Sequence, residues 1–178
     1  SELQVHHHEF FTKLFFDRDV TNTGQLRIPA GNYFYRNVLI KYNSDKRKKF
    51  NYFFIANYGG YYNGTKLTYN VVLKFRKTPW GKFSLEYKHD RIRLPSPPDT
   101  NVNIKADIFL IVPKIELTFT KNIFFTTFIQ YNTQSENINI NSRLQWRFKP
   151  VSDLFIVYTE NYDPILSVKN RALVVKLT

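Results

Sequence analysis

The cluster His6-His7-His8, followed by Glu9, is the group in the sequence that most resembles a set of metal ligands. On a strand, His6 and His8 share a face and Glu9 could add a carboxylate, and imidazole and carboxylate ligands suit zinc or nickel. No cysteine and no second histidine-rich segment completes such a site. His6 and His8 are therefore weak metal-ligand candidates, with a solvated or lumen-facing histidine run as the alternative. We predict no cofactor.

Carboxylates that could form an acid–base pair occur at Glu86 and Asp90, in a segment that is also rich in lysine and arginine. Carboxylates opposite basic residues on the polar face of a strand normally form charge pairs. Ser142 and Ser152 lie near Asp153 in the sequence, but no nucleophile elbow surrounds either serine. The sequence therefore predicts that the protein is not an enzyme.

The elements that must position these residues are strands, because apolar side chains recur at every second position. Near the end of the chain, apolar Leu144, Trp146 and Phe148 alternate with polar neighbours, which gives an extended segment one apolar and one polar face. The same unit recurs in looser form along almost the whole chain. The sequence predicts a single antiparallel all-β domain over residues 1–178.

About ten strands follow from the positions of the polar, glycine-containing and proline-containing breaks. The predicted strands cover residues 3–16, 32–43, 48–58, 61–76, 82–93, 102–119, 122–132, 139–149, 154–161 and 170–177. Two segments fit less well. The apolar spacing within 9–16 also suits an amphipathic helix. Pro113 predicts a bulge or a sheet edge, because proline cannot donate to a strand ladder.

The composition supports a β protein and restricts its partners. Seventeen Phe, twelve Tyr and two Trp make the chain unusually aromatic, and aromatic residues favour strands. The absence of cysteine excludes disulfides and thiolate metal sites. The formal net charge is +12. The basic residues are nevertheless dispersed along strands and turns instead of forming one stripe, so we expect no nucleic-acid binding.

The connections between the predicted strands mostly alternate between short and long. The short ones lie at 44–47, 78–81, 120–121 and 150–153, and the long ones at 17–31, 94–101, 133–138 and 162–169. The connection at Gly59-Gly60 is short where the pattern requires a long loop. In an antiparallel meander, alternate connections emerge at opposite ends. Bacterial outer-membrane barrels have this arrangement, with short periplasmic turns and long external loops. An even strand count places both termini at the turn end.

Alternation of side chains defines two faces but does not decide which one is inside. In a small soluble barrel the apolar face points inward, whereas in a membrane barrel it points to lipid. The aromatic content favours the second orientation, because Tyr and Trp concentrate at membrane interfaces. The interface candidates are Trp80, Tyr131, Trp146 and Tyr158. Lys66, Lys74 and Arg143 would then face the lumen and bias a water-filled barrel toward anions.

Export is a further requirement of an outer-membrane location. A membrane helix needs about 20 apolar residues, and no run of apolar residues in the sequence approaches that length. The chain opens on Ser1-Glu2, and no signal peptide is present in it. We expect either that a leader has been removed or that the sequence is a piece of something longer.

Three segments in the last third of the chain resemble a family signature. They are FIQYN at 128–132, NSRLQWRFKP at 141–150 and SDLFIVY at 152–158. Together they resemble the C-terminal signature of a Bacteroidota outer-membrane protein family of unknown function, whose members typically carry a carbohydrate-binding-like β-sandwich before a large C-terminal barrel. The resemblance extends over about residues 124–178, and Val151 departs from it by standing where the family usually has glycine. It implies an envelope location, and either the C-terminal part of a larger barrel or a reduced version.

Together these observations predict an antiparallel up-and-down transmembrane β-barrel of about ten strands in the bacterial outer membrane. It would serve as a pore, a membrane anchor or a subunit of an envelope transport or assembly complex, with outer-membrane lipid and other envelope proteins as partners. Pro150, Ser152 and Asp153 would form a structural turn. The alternatives are a soluble lipocalin-like barrel that binds a small apolar ligand, and a carbohydrate-binding β module in which Tyr61, Tyr62 and Trp80 stack on sugar rings.

Overall fold

The computed structural model describes residues 1–19, 27–95, 104–163 and 165–178. Ten long strands form one antiparallel sheet in chain order, and β2 (Arg18–Asp19) pairs with β3 (Arg27–Ile28) in a separate two-stranded sheet. The long strands are β1 (Glu2–Leu14), β4 (Gly31–Asn43), β5 (Phe50–Tyr61), β6 (Gly64–Lys77), β7 (Gly81–Leu94), β8 (Ile104–Thr120), β9 (Ile123–Asn132), β10 (Asn137–Lys149), β11 (Ser152–Tyr162) and β12 (Val168–Leu177). The predicted all-β meander is confirmed. No helix in the described ranges is long and apolar enough to cross a membrane.

The ten-stranded sheet is open. β1 and β12 form its two edges, and within the described residues each pairs with a single neighbour, β4 and β11 respectively. Both side-chain faces of β12 are exposed along its whole length. The meander is therefore present as predicted, but it is not closed into a barrel.

The connections divide the sheet into two ends, as the sequence predicts. At the turn end, strands are joined through residues 44–49, 78–80, 121–122 and 150–151, and at the loop end through 15–30, 62–63, 95–103, 133–136 and 163–167. Glu2 pairs with Asn43 and Leu177 pairs with Leu154, so both edge strands have their terminal ends at the turn end.

The short connection at the loop end lies at Tyr62-Asn63, and the prediction that placed it at Gly59-Gly60 is wrong. Both glycines lie inside β5. A Cβ atom on Gly59 would lie 2.3 Å from the carbonyl oxygen of Arg36 on β4. Glycine is therefore required there by the close approach of two strands and not by a turn.

Pro113 lies inside β8, between β7 and β9, so the prediction of an edge or a bulge at this residue is wrong. Toward β7 it pairs with Leu85 in an unbroken register. Toward β9 the paired positions stop at Ile111 and resume at Lys114 in the same register. The ladder is thus interrupted locally on the β9 side, where proline has no N–H to donate. The segment within 9–16 that also suited a helix is strand as far as Leu14.

The strand registers sort the side chains into two faces. The apolar face carries the odd-numbered residues of β1, β6, β7, β8, β9 and β12 and the even-numbered residues of β4, β5, β10 and β11. The polar face carries the others. Directly paired residues share a face in an antiparallel sheet, so this division runs continuously from one edge to the other.

The apolar face is the more exposed of the two. Along β4, Phe34, Val38 and Ile40 on the apolar face are exposed, whereas Tyr35 and Leu39 on the polar face are half-buried. The polar face is therefore the more enclosed side. A sheet normally buries its apolar face against a second layer, and no second layer covers this one in the described part of the chain.

A small apolar cluster covers the polar face at the loop end. Ile28 of β3 is 0% exposed and packs with Ile92 and Leu94 of β7, which are also buried. These three are the buried large apolar residues of the described chain. The backbone N–H of Ala30 donates to Asp17 Oδ1 at 2.9 Å and fixes the β3 side of the connection. β3 therefore lies over the polar face.

The turn between β10 and β11 holds a β-branched residue in an unfavourable backbone conformation. Val151 has a φ of 62° and is 94% exposed. The left-handed region costs an L-residue about 1–2 kcal/mol, and glycine adopts it without that cost. No side-chain packing at this exposed position offsets the strain.

We predict that Val151→Gly stabilises the fold by about 0.5–1 kcal/mol, because relief of the strain exceeds the added unfolded-state entropy of glycine. The measurement is the free energy of unfolding in urea, under the same solution conditions for both proteins. Val151→Ala keeps a Cβ atom and should recover less than half of the gain. A glycine variant that is equal to or less stable than the parent would contradict the strain.

Candidate functional site

The polar face holds a group of connected charged side chains centred on Asp90 of β7. Asp90 is 8% exposed, and its carboxylate lies 3.4 Å from Lys66 Nζ and 3.2 Å from Lys88 Nζ. The hydroxyl of Thr68 donates to the same carboxylate at 2.6 Å. Two lysines and a hydroxyl thus satisfy a nearly buried acid, and a charge is stable at this depth only with such partners.

A cavity of about 180 Å³ opens beside this network on the polar face. Its lining combines aromatic rings, carboxamides, a hydroxyl and a cation, from Phe10, Tyr35, Asn37, Asn57, Gly60, Tyr61, Lys66 and Thr68. Lys66 Nζ lies 5.2 Å from the centre of the Tyr61 ring. Asn57 Oδ1 is buried and accepts no hydrogen bond within the described residues. A buried acceptor of this kind favours a ligand or water that donates to it.

The three basic residues that the sequence assigned to the lumen all lie on the polar face. Lys66 belongs to the Asp90 network. Arg143 on β10 places its guanidinium carbon 4.5 Å from the centre of the Phe155 ring and donates to Gln145 Oε1 at 3.2 Å. Lys74 lines a separate polar cleft near the turn end, together with Lys46 and Asn51. The structure does not bring the three together into one site.

The predicted interface aromatics are divided between the two ends of the sheet. Trp80 lies in the turn between β6 and β7 and is 60% exposed. Trp146, on the apolar face near the turn end, contacts Phe148 with ring centres 5.9 Å apart. Tyr131 and Tyr158 lie on the apolar face nearer the loop end. The four residues therefore mark both ends of the apolar face and do not form one cluster.

The predicted structural turn is made by Pro150 and Val151, and Ser152 begins β11 opposite Lys149. Asp153, the next residue, accepts from Arg147 Nε at 3.2 Å across the strands. A similar pairing orders the turn after β4, where Arg47 donates to both carboxylate oxygens of Asp45 at 2.9–3.2 Å. This hydrogen bonding lowers the pKa of Asp45 below its usual value.

His6 and His8 lie on the polar face of the edge strand β1, with stacked rings whose centres are 5.8 Å apart. Glu9 lies on the opposite face and pairs with Arg36 at 2.9 Å. Among the described residues, no group of three or more His, Cys, Asp or Glu side chains is placed to hold a metal.

A histidine–carboxylate pair that the sequence did not predict lies on the apolar face at the loop end. His89 Nε2 is 2.8 Å from Asp107 Oδ1, which also accepts from Arg91 Nε at 3.0 Å. The imidazole is 9% exposed and stacks on Phe109 with ring centres 4.2 Å apart. His89 and Asp107 are far apart in sequence, so only the register of β7 with β8 reveals the pair. Within the described residues, this His89–Asp107 pair contacts the cation of Arg91 and not a nucleophilic side chain.

We predict that Asp90→Asn lowers the free energy of unfolding by about 1–2 kcal/mol, because it leaves Lys66 and Lys88 without their shared counter-charge. Both lysines keep some solvent contact, which limits the cost. The measurement is unfolding in urea. Asp45→Asn is the matched control and should cost much less, because its partner Arg47 is 91% exposed and such exposed ion pairs contribute little. Equal effects from both substitutions would show that the network adds no stability.

Comparison with known proteins yields no match: no family model, no curated protein and no solved structure matches this chain. The resemblance of residues 124–178 to the Bacteroidota outer-membrane family therefore stays a prediction. The function of the chain is inferred below from its own geometry.

Proposed function

We propose that this chain forms the wall of a β-barrel in the bacterial outer membrane, with its apolar face against lipid and its polar face toward a lumen. The wall would act as a pore, as a membrane anchor or as a subunit of an envelope complex. One observation carries the proposal: the exposed large apolar side chains of the sheet lie almost entirely on one face.

In the regularly paired segments of the described strands, the exposed large apolar side chains on the apolar face are Leu3, Val5, Phe11, Phe34, Val38, Ile40, Phe50, Tyr52, Tyr58, Tyr69, Phe75, Phe83, Ile111, Ile115, Ile129, Tyr131, Trp146, Leu173, Val175 and Leu177. On the polar face, in the regularly paired segments of the described strands, they are Phe10 and Val174. Burying one such side chain contributes about 1.5–3 kcal/mol. Contiguous exposed apolar surface on this scale marks a binding or membrane surface.

The strands are long enough for the proposed role. A tilted strand needs about 9–11 residues to cross the apolar layer, and the ten long strands contain from 10 residues in β9 and β12 to 17 in β8. At the loop end, the apolar face changes to ion pairs such as Glu9 with Arg36 and Arg91 with Asp107. An apolar band bounded by charged residues is typical of a membrane-spanning wall.

The two alternative functions fit the geometry less well. A lipocalin-like barrel encloses its apolar face around a ligand, whereas here the polar face is the more enclosed one. In the carbohydrate-binding alternative, Tyr61, Tyr62 and Trp80 would form a sugar platform. Tyr61 and Tyr62 contact each other at the loop end with ring centres 4.9 Å apart, but Trp80 lies at the turn end.

The open edges require a partner in a membrane, because unpaired backbone groups are costly in lipid. With an even number of long strands, β1 and β12 run antiparallel to each other. Stepping from each residue to its cross-strand partner, the path that starts at Glu2 in β1 ends at Asn170, near the loop end of β12. If β1 paired with β12 at positions about ten residues away from the end of this path, the strands of the closed barrel would be tilted by about 35° from its axis. We propose that β1 pairs with β12.

The lipid-facing orientation predicts opposite environments for adjacent residues of one strand. The chain has no cysteine, so a spin label can be attached at Leu144→Cys or, as the matched control, at Arg143→Cys. In vesicles, the label at 144 should be accessible to oxygen and shielded from a water-soluble nickel complex, and the label at 143 should show the reverse. The protein should also require detergent for extraction and migrate faster on unheated gels. Water accessibility at 144 would overturn the proposed function.

Closure predicts an intramolecular disulfide between the two edges. We expect His7→Cys to cross-link with a cysteine at position 173, 175 or 177, on the same face of β12. It should not cross-link with the matched controls at 174 and 176, which lie on the other face. The product is read from its mass on a denaturing gel. A band at twice the chain mass as the sole product would show that another chain, and not β1, completes the wall.

A further inference from the structure

Two cations face each other at the loop end of the apolar face without an ion-pair partner among the described residues. Arg93 of β7 pairs directly with Lys105 of β8, and both side chains are exposed. Like charges directly opposite each other on one face destabilise a strand pair. Neither residue forms an ion pair with any other part of the described chain.

The three arginines that share this region of the apolar face all have an acid partner. Arg36 lies 2.9 Å from Glu9, Arg91 lies 3.0 Å from Asp107, and Arg171 contacts Glu160. Asp107 is the nearest acid to Lys105 along β8, and it is already shared by Arg91 and His89. Arg93 and Lys105 therefore differ from these three arginines, because neither has an acid partner among the described residues.

The two cations line a common cleft of about 400 Å³. Gly64, Thr65, Leu94 and Pro95 complete its lining. Thr65 is directly paired with Arg93 on the side away from Lys105, so a hydroxyl-bearing residue and two cations occupy three adjacent strands. The absence of a side chain at Gly64 keeps the strands close, because a Cβ atom there would lie 2.2 Å from the carbonyl oxygen of Arg93.

We infer that Arg93 and Lys105 bind the phosphate group of an anionic lipid at the loop end of the apolar face. A phosphate offers several acceptor oxygens to a guanidinium and an ammonium at once. The inference rests on the proposed function, because the apolar face places the cleft at the edge of the lipid layer. That position makes a lipid-borne phosphate the occupant, with the acyl chains lying along the apolar residues below.

The test uses the full chain in neutral maltoside micelles that contain either phosphatidic acid or phosphatidylcholine, and bound lipid is measured by native mass spectrometry. The Arg93→Gln/Lys105→Gln variant should bind phosphatidic acid at least about tenfold more weakly than the parent, because two charge-assisted contacts are lost. Lys48→Gln/Lys49→Gln, with the same charge change at the turn end, should bind like the parent. Phosphatidylcholine should bind weakly to all three proteins.

Three further results decide the source of the phosphate and the role of the charge. The charge-preserving variant Arg93→Lys/Lys105→Arg should stay within about threefold of the parent. A loss as large as that of the glutamine variant would overturn the charge-based inference. Glycerol phosphate, which carries the same group without acyl chains, should bind much more weakly than phosphatidic acid. Equal binding would overturn the lipid source.

The proposed function is assessed separately on the same preparations by detergent dependence and migration on unheated gels. A glutamine variant that keeps these properties and binds phosphatidic acid like the parent would overturn the present inference alone. A parent chain that is monodisperse in water without detergent would overturn the proposed function as well.

Discussion

The constraint on which this structure depends is that its main sheet has one apolar face, which no second protein layer covers in the described part of the chain. Ile28, Ile92 and Leu94 are the buried large apolar residues of the described chain, so packing of apolar side chains within the protein contributes little stability. Strand ladders satisfy the backbone, and under the proposed function an external apolar medium completes the burial. Lipid supplies such a medium and also requires the paired backbone that the meander provides.

The charges on the two faces are organised differently, and the difference follows from their surroundings. On the enclosed polar face, Asp90 is shared by Lys66 and Lys88, because a nearly buried acid needs several partners. On the exposed apolar face, the ion pairs lie toward the loop end, where Glu160 with Arg171 and Asp107 with Arg91 form cross-strand pairs. The sheet therefore has an enclosed polar face with paired charges and an exposed apolar face with ion pairs toward one end.

Much of the fold could be predicted from the sequence because period-two alternation reports local structure directly. The strand around Leu144 and Trp146, the turn at Pro150 and the polar-face placement of Lys66 are examples. Features that depend on register could not be predicted. The close approach at Gly59, the pairing of Pro113 with Leu85 and the opposition of Arg93 and Lys105 involve residues whose spacing in sequence carries no periodic signal. The local pattern predicts a closed barrel and the sheet is open, because the relation of the two edges depends on the accumulated stagger of all the strands.

The docking of β3 on the polar face limits how often the part of that face beneath it is uncovered. Ile28 is the side chain that β3 contributes to the buried cluster, and exposing one such side chain costs about 3 kcal/mol. A two-state opening with that cost is populated about 0.6% of the time. The polar side chains beneath β3 are then uncovered only in that small fraction of molecules in which Ile28 has left its neighbours.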